Sequence, residues 1–483
     1  MSTSQTDTRA VPTEAPTAQW RALWVVLIGA FMAILDTFIV LVAAPAIQAD
    51  LHASNAELQL VVVAYQLTYA IALITGARLG DLYGRKRLFM SGMALFTLSS
   101  VVCAVAPTTT TLIVARLVQG ISAALMFPQV FAIIQVLLPP AQRHRAFSAL
   151  GATIGVSTIL GQLVGGLLIA ANLFGTSWRP VFWVNVPIGV ITLLLAAKLV
   201  PESRAATARK LDLPGLAALT VAMFLLIVPV VQGRQLGWPL WTWLSLAASV
   251  PAFVLFAVIE RRVEARGAAP LVSLRLFRDR SFTLGIALVI IAYAGVNSFF
   301  LVLSLMLQDG LGQNALGAGL SYTPLAAAFF ATSLLAGKLT PRYGRRVLEV
   351  GSVISGLGFI ATMVLALTAG PSLDIGLLMP GLVVVGVGNG LLLPQLLNTV
   401  LSRIGPNEVG MASGVLSTGQ QVGGALGVAV IGVLFFSALG GPGGQVASYG
   451  HALGVAVGLN VLIALVATAL LFALPKVNKP AAA

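Results

Sequence analysis

Asp36 and Arg116 are the two ionisable side chains that fall well inside long apolar runs, "FMAILDTFIVLVAAPAI" and "TLIVARLVQGISAALMF". A charge in such a run is costly and marks function by default. At about 1.5 Å of rise per residue, Asp36 lies roughly 20 Å along the first run. Arg116 lies about one and a half turns into the fourth, which runs the other way, so the two can meet. A carboxylate beside a guanidinium is pulled two ways: desolvation favours the neutral acid, the cation favours the anion. Such a group can take up and release a proton, and when ionised it attracts a cationic substrate. A static ion pair would use the same residues. Little else invites chemistry. Cys103 is the single cysteine, and His52, His144 and His451 are scattered, so neither a disulfide nor a metal site is expected. No GxxxxGK phosphate loop is present, which argues against ATP drive, and neither enzyme activity nor a cofactor is expected.

The elements that must hold this pair are membrane helices. Of the 483 residues 58% are hydrophobic and 9% charged, against roughly 25% charged in soluble domains. Apolar runs of about 20 residues, enough to cross the hydrocarbon core, recur along the chain. The expected fold is all-α, with fourteen spans between residues 21 and 474. The net charge of +13 is not a nucleic-acid footprint, because its cations alternate between loops. Arg85, Lys86 and Arg87 follow the second span, Arg143 and Arg145 the fourth, Arg204, Arg209 and Lys210 the sixth, and the alternation continues to Arg403. The positive-inside rule puts these loops and both termini in the cytoplasm of a multi-pass inner (plasma) membrane protein. Residues 1–20 read as a flexible polar tail without signal-peptide regions. Trp238, Trp241 and Trp243 suit an aromatic belt on the outer side.

"GQLVGGLL" from Gly161 returns as "GQQVGGAL" from Gly419, 258 residues later. "RLGDLYGRKR" from Arg78 and "FPQV" from Phe127 return in step as "KLTPRYGRRV" from Lys338 and "LPQL" from Leu393. A repeat of this offset leaves room for two extra helices between two six-helix bundles. The expected division is a tail 1–20, a bundle 21–200, an insertion 201–281, a bundle 282–475 and a tail 476–483. Paired glycines let helix backbones approach closely, so Gly161, Gly165, Gly166, Gly419, Gly423 and Gly424 are expected on packing seams. Gln162, Gln420 and Gln421 there either touch substrate or bond between helices.

Four stretches carry a family resemblance: "GARLGDLYGRKR" from Gly76, "LDTFIVLVAAPAI" from Leu35, "RLVQG" from Arg116 and "WRPVFWVNVPIG" from Trp178. Over about residues 20 to 475 the chain resembles the fourteen-helix drug/proton antiporter branch of the major facilitator superfamily. The resemblance implies a site between the two bundles near the midplane and gives Asp36 and Arg116 the proton-coupling role. Helices expected to line the cavity offer Phe31, Gln119, Met126, Phe127, Gln129, Tyr293, Asn297, Phe300, Asn389, Gln395 and Asn398, a mostly apolar set suited to lipophilic molecules. It makes Gly76, Gly80, Asp81, Gly84 and Arg85 part of a conformational gate, with Asp81 docking at the helix that begins near "GPNEVG". The paired glycines after Gly161 join that gate. One departure stands: the family's fifth-helix signature has Gly-Pro where this chain has Gly161-Gln162. The implied function is proton-coupled export of lipophilic, neutral or monocationic compounds by a monomer in the lipid bilayer. A dedicated transporter of one metabolite, such as an antibiotic or siderophore, and a non-transporting sensor remain as alternatives.

Overall fold

A computed structural model describes residues 16–172, 175–204, 212–233, 236–268, 270–401, 409–439 and 444–473. Among them are fourteen helices long and apolar enough to cross a membrane, and no strand. The first six spans are α1 (Pro16–Leu51), α2 (Asn55–Tyr83), α3 (Arg85–Ala104), α4 (Thr109–Leu137), α5 (Pro140–Ala171), and the pair α6 (Pro180–Trp183) and α7 (Asn185–Leu199). Two helices follow, α8 (Leu213–Gly233) and α9 (Leu240–Ala265). The last six spans are α10 (Arg280–Leu305) with a π-helical turn Met306–Gly310, the pair α11 (Ala315–Ser321) and α12 (Thr323–Tyr343), then α13 (Arg346–Thr368), α14 (Ile375–Leu401), α15 (Val409–Ala438) and α16 (Gly444–Ala473).

Local chemistry sets the boundaries. Ser54 and Glu57 form a reciprocal capping box at the start of α2, and Thr108, Asp279 and Asn314 cap α4, α10 and α11 through their side chains. The sixth span breaks at Val184 because Pro187 has no N–H for the Trp183 carbonyl. Elsewhere proline is absorbed: Pro45, Pro128, Pro229, Pro251, Pro380 and Pro394 all lie inside helices. The first helix begins at Pro16, five residues before the expected start.

The spans form two six-helix bundles with two inserted helices. In the first, α2 packs along α4, α3 against α4 and α7, and α1 against α5; in the second, α12 and α13 pack on α14, α10 on α15, and α13 on α16. The two meet along α2 with α15 and along α5 with α11. The inserted α8 packs on α9 and reaches both bundles through α2 and α15.

Two spans run further than the hydropathy implies. The helix α9 continues to Ala265, and the span of α10 runs through its π turn to Gly310. Glu260 and Asp309 therefore lie at span ends, whereas Asp36 and Arg116 lie deeper within theirs. The glycines of the gate motif follow from packing. A Cβ on Gly76 would strike the Ala124 carbonyl of α4, and one on Gly80 would strike the Gln129 amide.

Candidate functional site

Asp36 and Arg116 do meet, and five spans converge on them. Asp36 is fully buried and Arg116 is 1% exposed. Arg116 Nη1 donates to Asp36 Oδ2, and the other oxygen, Oδ1, accepts from Gln119 Nε2 at 3.0 Å and Asn185 Nδ2 at 3.1 Å. Both amides also donate to Ser100 Oγ, at 2.9 and 3.3 Å. Arg116 donates through Nε to the Val61 carbonyl at 3.2 Å and through Nη1 to Gln119 Oε1 at 2.7 Å. Its Cζ sits 4.3 Å from the centre of the Tyr65 ring, a cation–π contact, while Tyr65 donates its hydroxyl to the Ala33 carbonyl. Every partner of Asp36 is a donor, so the arrangement suits a carboxylate. A buried ion pair survives only when its remaining donors and acceptors are met in this way.

The glycine repeat is the contact between the bundles. On α5, Gly161 and Gly165 lie against Phe38, Leu35 and Ile39 of α1, while a Cβ on Gly166 would strike the Ala315 carbonyl of α11. On α15, Gly419 and Gly423 lie against Ile286 and Ile290 of α10, while a Cβ on Gly424 would strike Asn297 and crowd Gln66 of α2. Each copy therefore has two glycines facing its own bundle; the third faces the other bundle at Gly166 and lies between Asn297 of its own bundle and Gln66 of the other at Gly424. The seams close the end of the molecule away from the basic loops. Phe38 and Phe300 meet edge to face at 5.6 Å, and Gln308 donates to the Val42 carbonyl at 2.8 Å. At the basic-loop end, a Cβ built on Gly151 or Gly155 of α5 or on Gly337 of α12 would meet nothing within 4 Å.

Of the residues expected to line a cavity, Phe31, Tyr293 and Gln420 are partly exposed, and Tyr293 and Gln420 are neighbours. Gln162, Asn297 and Phe300 are buried beside the seams, and Gln395 is buried on α14. Five others make their described contacts elsewhere. Gln119 belongs to the Asp36 network. Met126 is fully buried between Gly29 and Gly92, and Gln129 ties α4 to α2 by donating to the Gly76 carbonyl at 2.8 Å. Asn389 faces Ser355 in a crevice among α10, α13, α14 and α16, away from Asp36. Phe127 stacks edgewise with Tyr69 and Phe131. The side chain of Asn398 lies outside the described residues.

Sequence reasoning missed Asn185, Ser100 and Gln66. Each is a small or amide side chain in an apolar run, which is the signal that could have found them. Gln66 and Gln162 are 1% and 2% exposed, and neither amide has a hydrogen-bond partner on oxygen or nitrogen. A buried amide left unmet costs about 1–3 kcal/mol per group.

In the gate motif, Gly84 turns the chain at φ +111° and Arg85 pairs with Asp81 at 2.8 Å. The expected docking point for Asp81 falls on residues 402–408, outside the described residues. The carboxylate of Glu202, unforeseen from the sequence, instead accepts from the backbone of Lys86 and Arg87 and caps α3. Glu202→Ala is expected to lower stability by about 1 kcal/mol, and Glu202→Gln by less, read as melting temperature in detergent. Equal melting temperatures for Glu202→Ala and wild type would show the contact to be idle.

Paired six-helix bundles that meet on glycine seams, with a sealed charge network in one of them, are the build of a secondary membrane transporter. The chain belongs to the Major Facilitator Superfamily, whose profile matches residues 26–428, and with its fourteen spans to the drug-efflux branch. It is 40% identical over 423 residues to the "Probable actinorhodin transporter" of Streptomyces coelicolor, covering 87% of this chain and 73% of that one. It is 34% identical over 407 residues to the "Multidrug resistance protein Stp" of Mycobacterium tuberculosis, covering 84% and 74%. A solved bacterial homologue of the human lysosomal transporter Spinster, in an inward-facing conformation, superposes with a TM-score of 0.68 at 17% identity over 95% of this chain and 97% of that one. That likeness concerns the fold alone.

Proposed function

We propose that the chain is a proton-coupled antiporter that exports lipophilic, neutral or monocationic, drug-like compounds by alternating access. The observation that carries this reading is the Asp36 network. Among the described residues of the two bundles, Asp36 is the one fully buried carboxylate, held by three donors from two other helices and cut off from solvent. A proton reaches it only when those helices move, which ties protonation to conformation. In this reading Asp36 and Arg116 couple protons. Phe31, Tyr293, Phe300, Gln395 and Gln420 line the substrate path, Gln66, Gln162 and Asn297 supply its polar contacts, and the segment from Gly76 to Arg85 is the gate. The bundles 21–200 and 282–475 move against each other, with 201–281 riding between them. The alternation of basic loops supports cytoplasmic termini in the plasma membrane.

Relatives named for actinorhodin transport and for multidrug resistance support export of drug-like compounds. A second reading, a transporter dedicated to one metabolite, is favoured by Gln162 in place of the signature proline and by the single-compound name of the Streptomyces relative. Both are tested by growth inhibition of efflux-deficient cells expressing the chain, against dyes, antibiotics and quaternary ammonium compounds, with and without an uncoupler. Protection from several classes, lost with the uncoupler, fits the first reading; protection from one fits the second; protection that survives the uncoupler removes proton coupling. Gln162→Leu and Gln66→Leu are expected to weaken transport of hydrogen-bonding substrates about fivefold or more, with little change for purely apolar ones. Equal losses for both kinds would deny the amides a role in recognition.

A further inference from the structure

At the base of the inserted helices two acids face each other. Asp212, which caps α8 by accepting from Gly215 N at 2.9 Å through Oδ1, is 5% exposed. Glu260, near the end of α9, is fully buried and accepts from Val272 N at 3.0 Å through Oε2. Their other oxygens, Asp212 Oδ2 and Glu260 Oε1, have no donor. A Cβ on Gly215 would collide with both, so they bound the same small space, and the two carboxyl groups are within hydrogen-bonding reach. Two carboxylates in contact are both acceptors and repel; one proton between them satisfies both oxygens and removes the repulsion.

We propose that Asp212 and Glu260 hold one proton between them, and that this proton clamps the inserted hairpin to segment 270–273 and, through Arg78, to α2. The path is continuous. Glu260 holds Val272, and Arg78 of α2 donates through Nη2 to the Pro270 carbonyl. Arg78 lies two residues before the gate glycine Gly80, so the hairpin and the gate helix share an anchor. The charged groups around the pair are Arg78 and, one turn beyond on α9, Glu264, which binds Arg275 at 2.9 Å and Ser273 at 3.0 Å. Asp81 and Arg85 of the gate motif pair with each other, Arg261 and Arg262 of α9 are exposed, and α15 has no ionisable side chain among its described residues. Loss of the proton to solvent places two like charges in a buried site with Arg78 as the nearby cation. The hairpin base then parts from α2. The clamp makes the insertion a pH-sensitive brace on the gate, separate from the coupling site at Asp36.

The test uses the full chain in detergent. The folded pair keeps a proton that unfolded carboxylates release above about pH 4, so the folded state binds the excess proton and stability falls as pH rises. The wild-type melting temperature is therefore expected to decline between about pH 5 and pH 8. Asp212→Asn retains a capping oxygen and supplies a permanent N–H in place of the shared proton, so its decline is expected to be at least halved. Parallel declines would overturn the proposal. Infrared spectra give a readout that does not depend on melting. The carbonyl stretch of a protonated carboxyl is expected in the wild type and weakened by one group in Glu260→Gln and in Asp212→Asn. An undiminished band in either variant, or no such band in the wild type across this range, would also overturn it.

Discussion

Asp36→Asn is expected to abolish accumulation of substrate driven by an imposed proton gradient, while exchange of substrate for substrate across the same vesicles persists. The loss follows from having no carboxyl group in the network to carry the proton; exchange needs only the motion of the bundles. Reading the sequence alone, the amide looks harmless, since it is cheaper to bury than a carboxylate. The structure changes that expectation. Arg116 is 1% exposed and its charge is met by Asp36, so the variant leaves a buried cation unpaired at a cost of about 3–5 kcal/mol. The substituted amide also turns an N–H toward donors, either Arg116 or the pair Gln119 Nε2 and Asn185 Nδ2. A companion, Asp36→Asn with Arg116→Gln, removes both charges and is expected to recover part of the stability while remaining uncoupled. Vesicles of either variant that still concentrate substrate when only a proton gradient is applied would make the network a structural tie.

The second large effect is expected at Gly166. A side chain there meets the Ala315 carbonyl and Gly319, backbone atoms that cannot step aside, so Gly166→Leu forces α5 and α11 apart. Overpacking of this kind costs about 1–3 kcal/mol, and about 2 kcal/mol depopulates the closed seam roughly thirtyfold. Transport is expected to fall at least about tenfold, with loss of cross-linking between cysteines placed on α5 and α11 near the seam. Gly155→Ala is the control, because its Cβ meets nothing within 4 Å. Wild-type transport by Gly166→Leu would mean that the seam does not need to close.

Much of this is legible in the sequence alone. Span number follows from apolar length, and the meeting of Asp36 with Arg116 follows from depth along antiparallel helices. The doubled octapeptide announces backbone contact, since its spacing puts glycines on adjacent faces. Which glycine faces which helix is not legible, because it depends on how two bundles are docked, a long-range fact with no local signature. The same reason hides the partners of Asp36. Asn185 and Ser100 are ordinary polar residues until α3 and α7 bring them to one point. Gln119 and Gln129 show the converse: their positions on α4 suggest a cavity, but neighbouring helices claim their amides. Glu260 escapes notice for a simpler reason, because hydropathy places it at the edge of a span.

The seam at Gly166 also has a mechanical meaning. Where backbones touch, two bodies can roll but not slide far, so the contact acts as a fulcrum and α5 as a lever. Gly151 lies fifteen residues from Gly166, which is about 22 Å of helix. A rotation of roughly 13° about the seam then swings the free end by about 5 Å, one helical pitch. An error of about 1 Å in the position of the fulcrum is a fifth of that stroke. Tolerance at the pivot is thus set by the travel required at the tip, which is why the bearing surface is made of glycine.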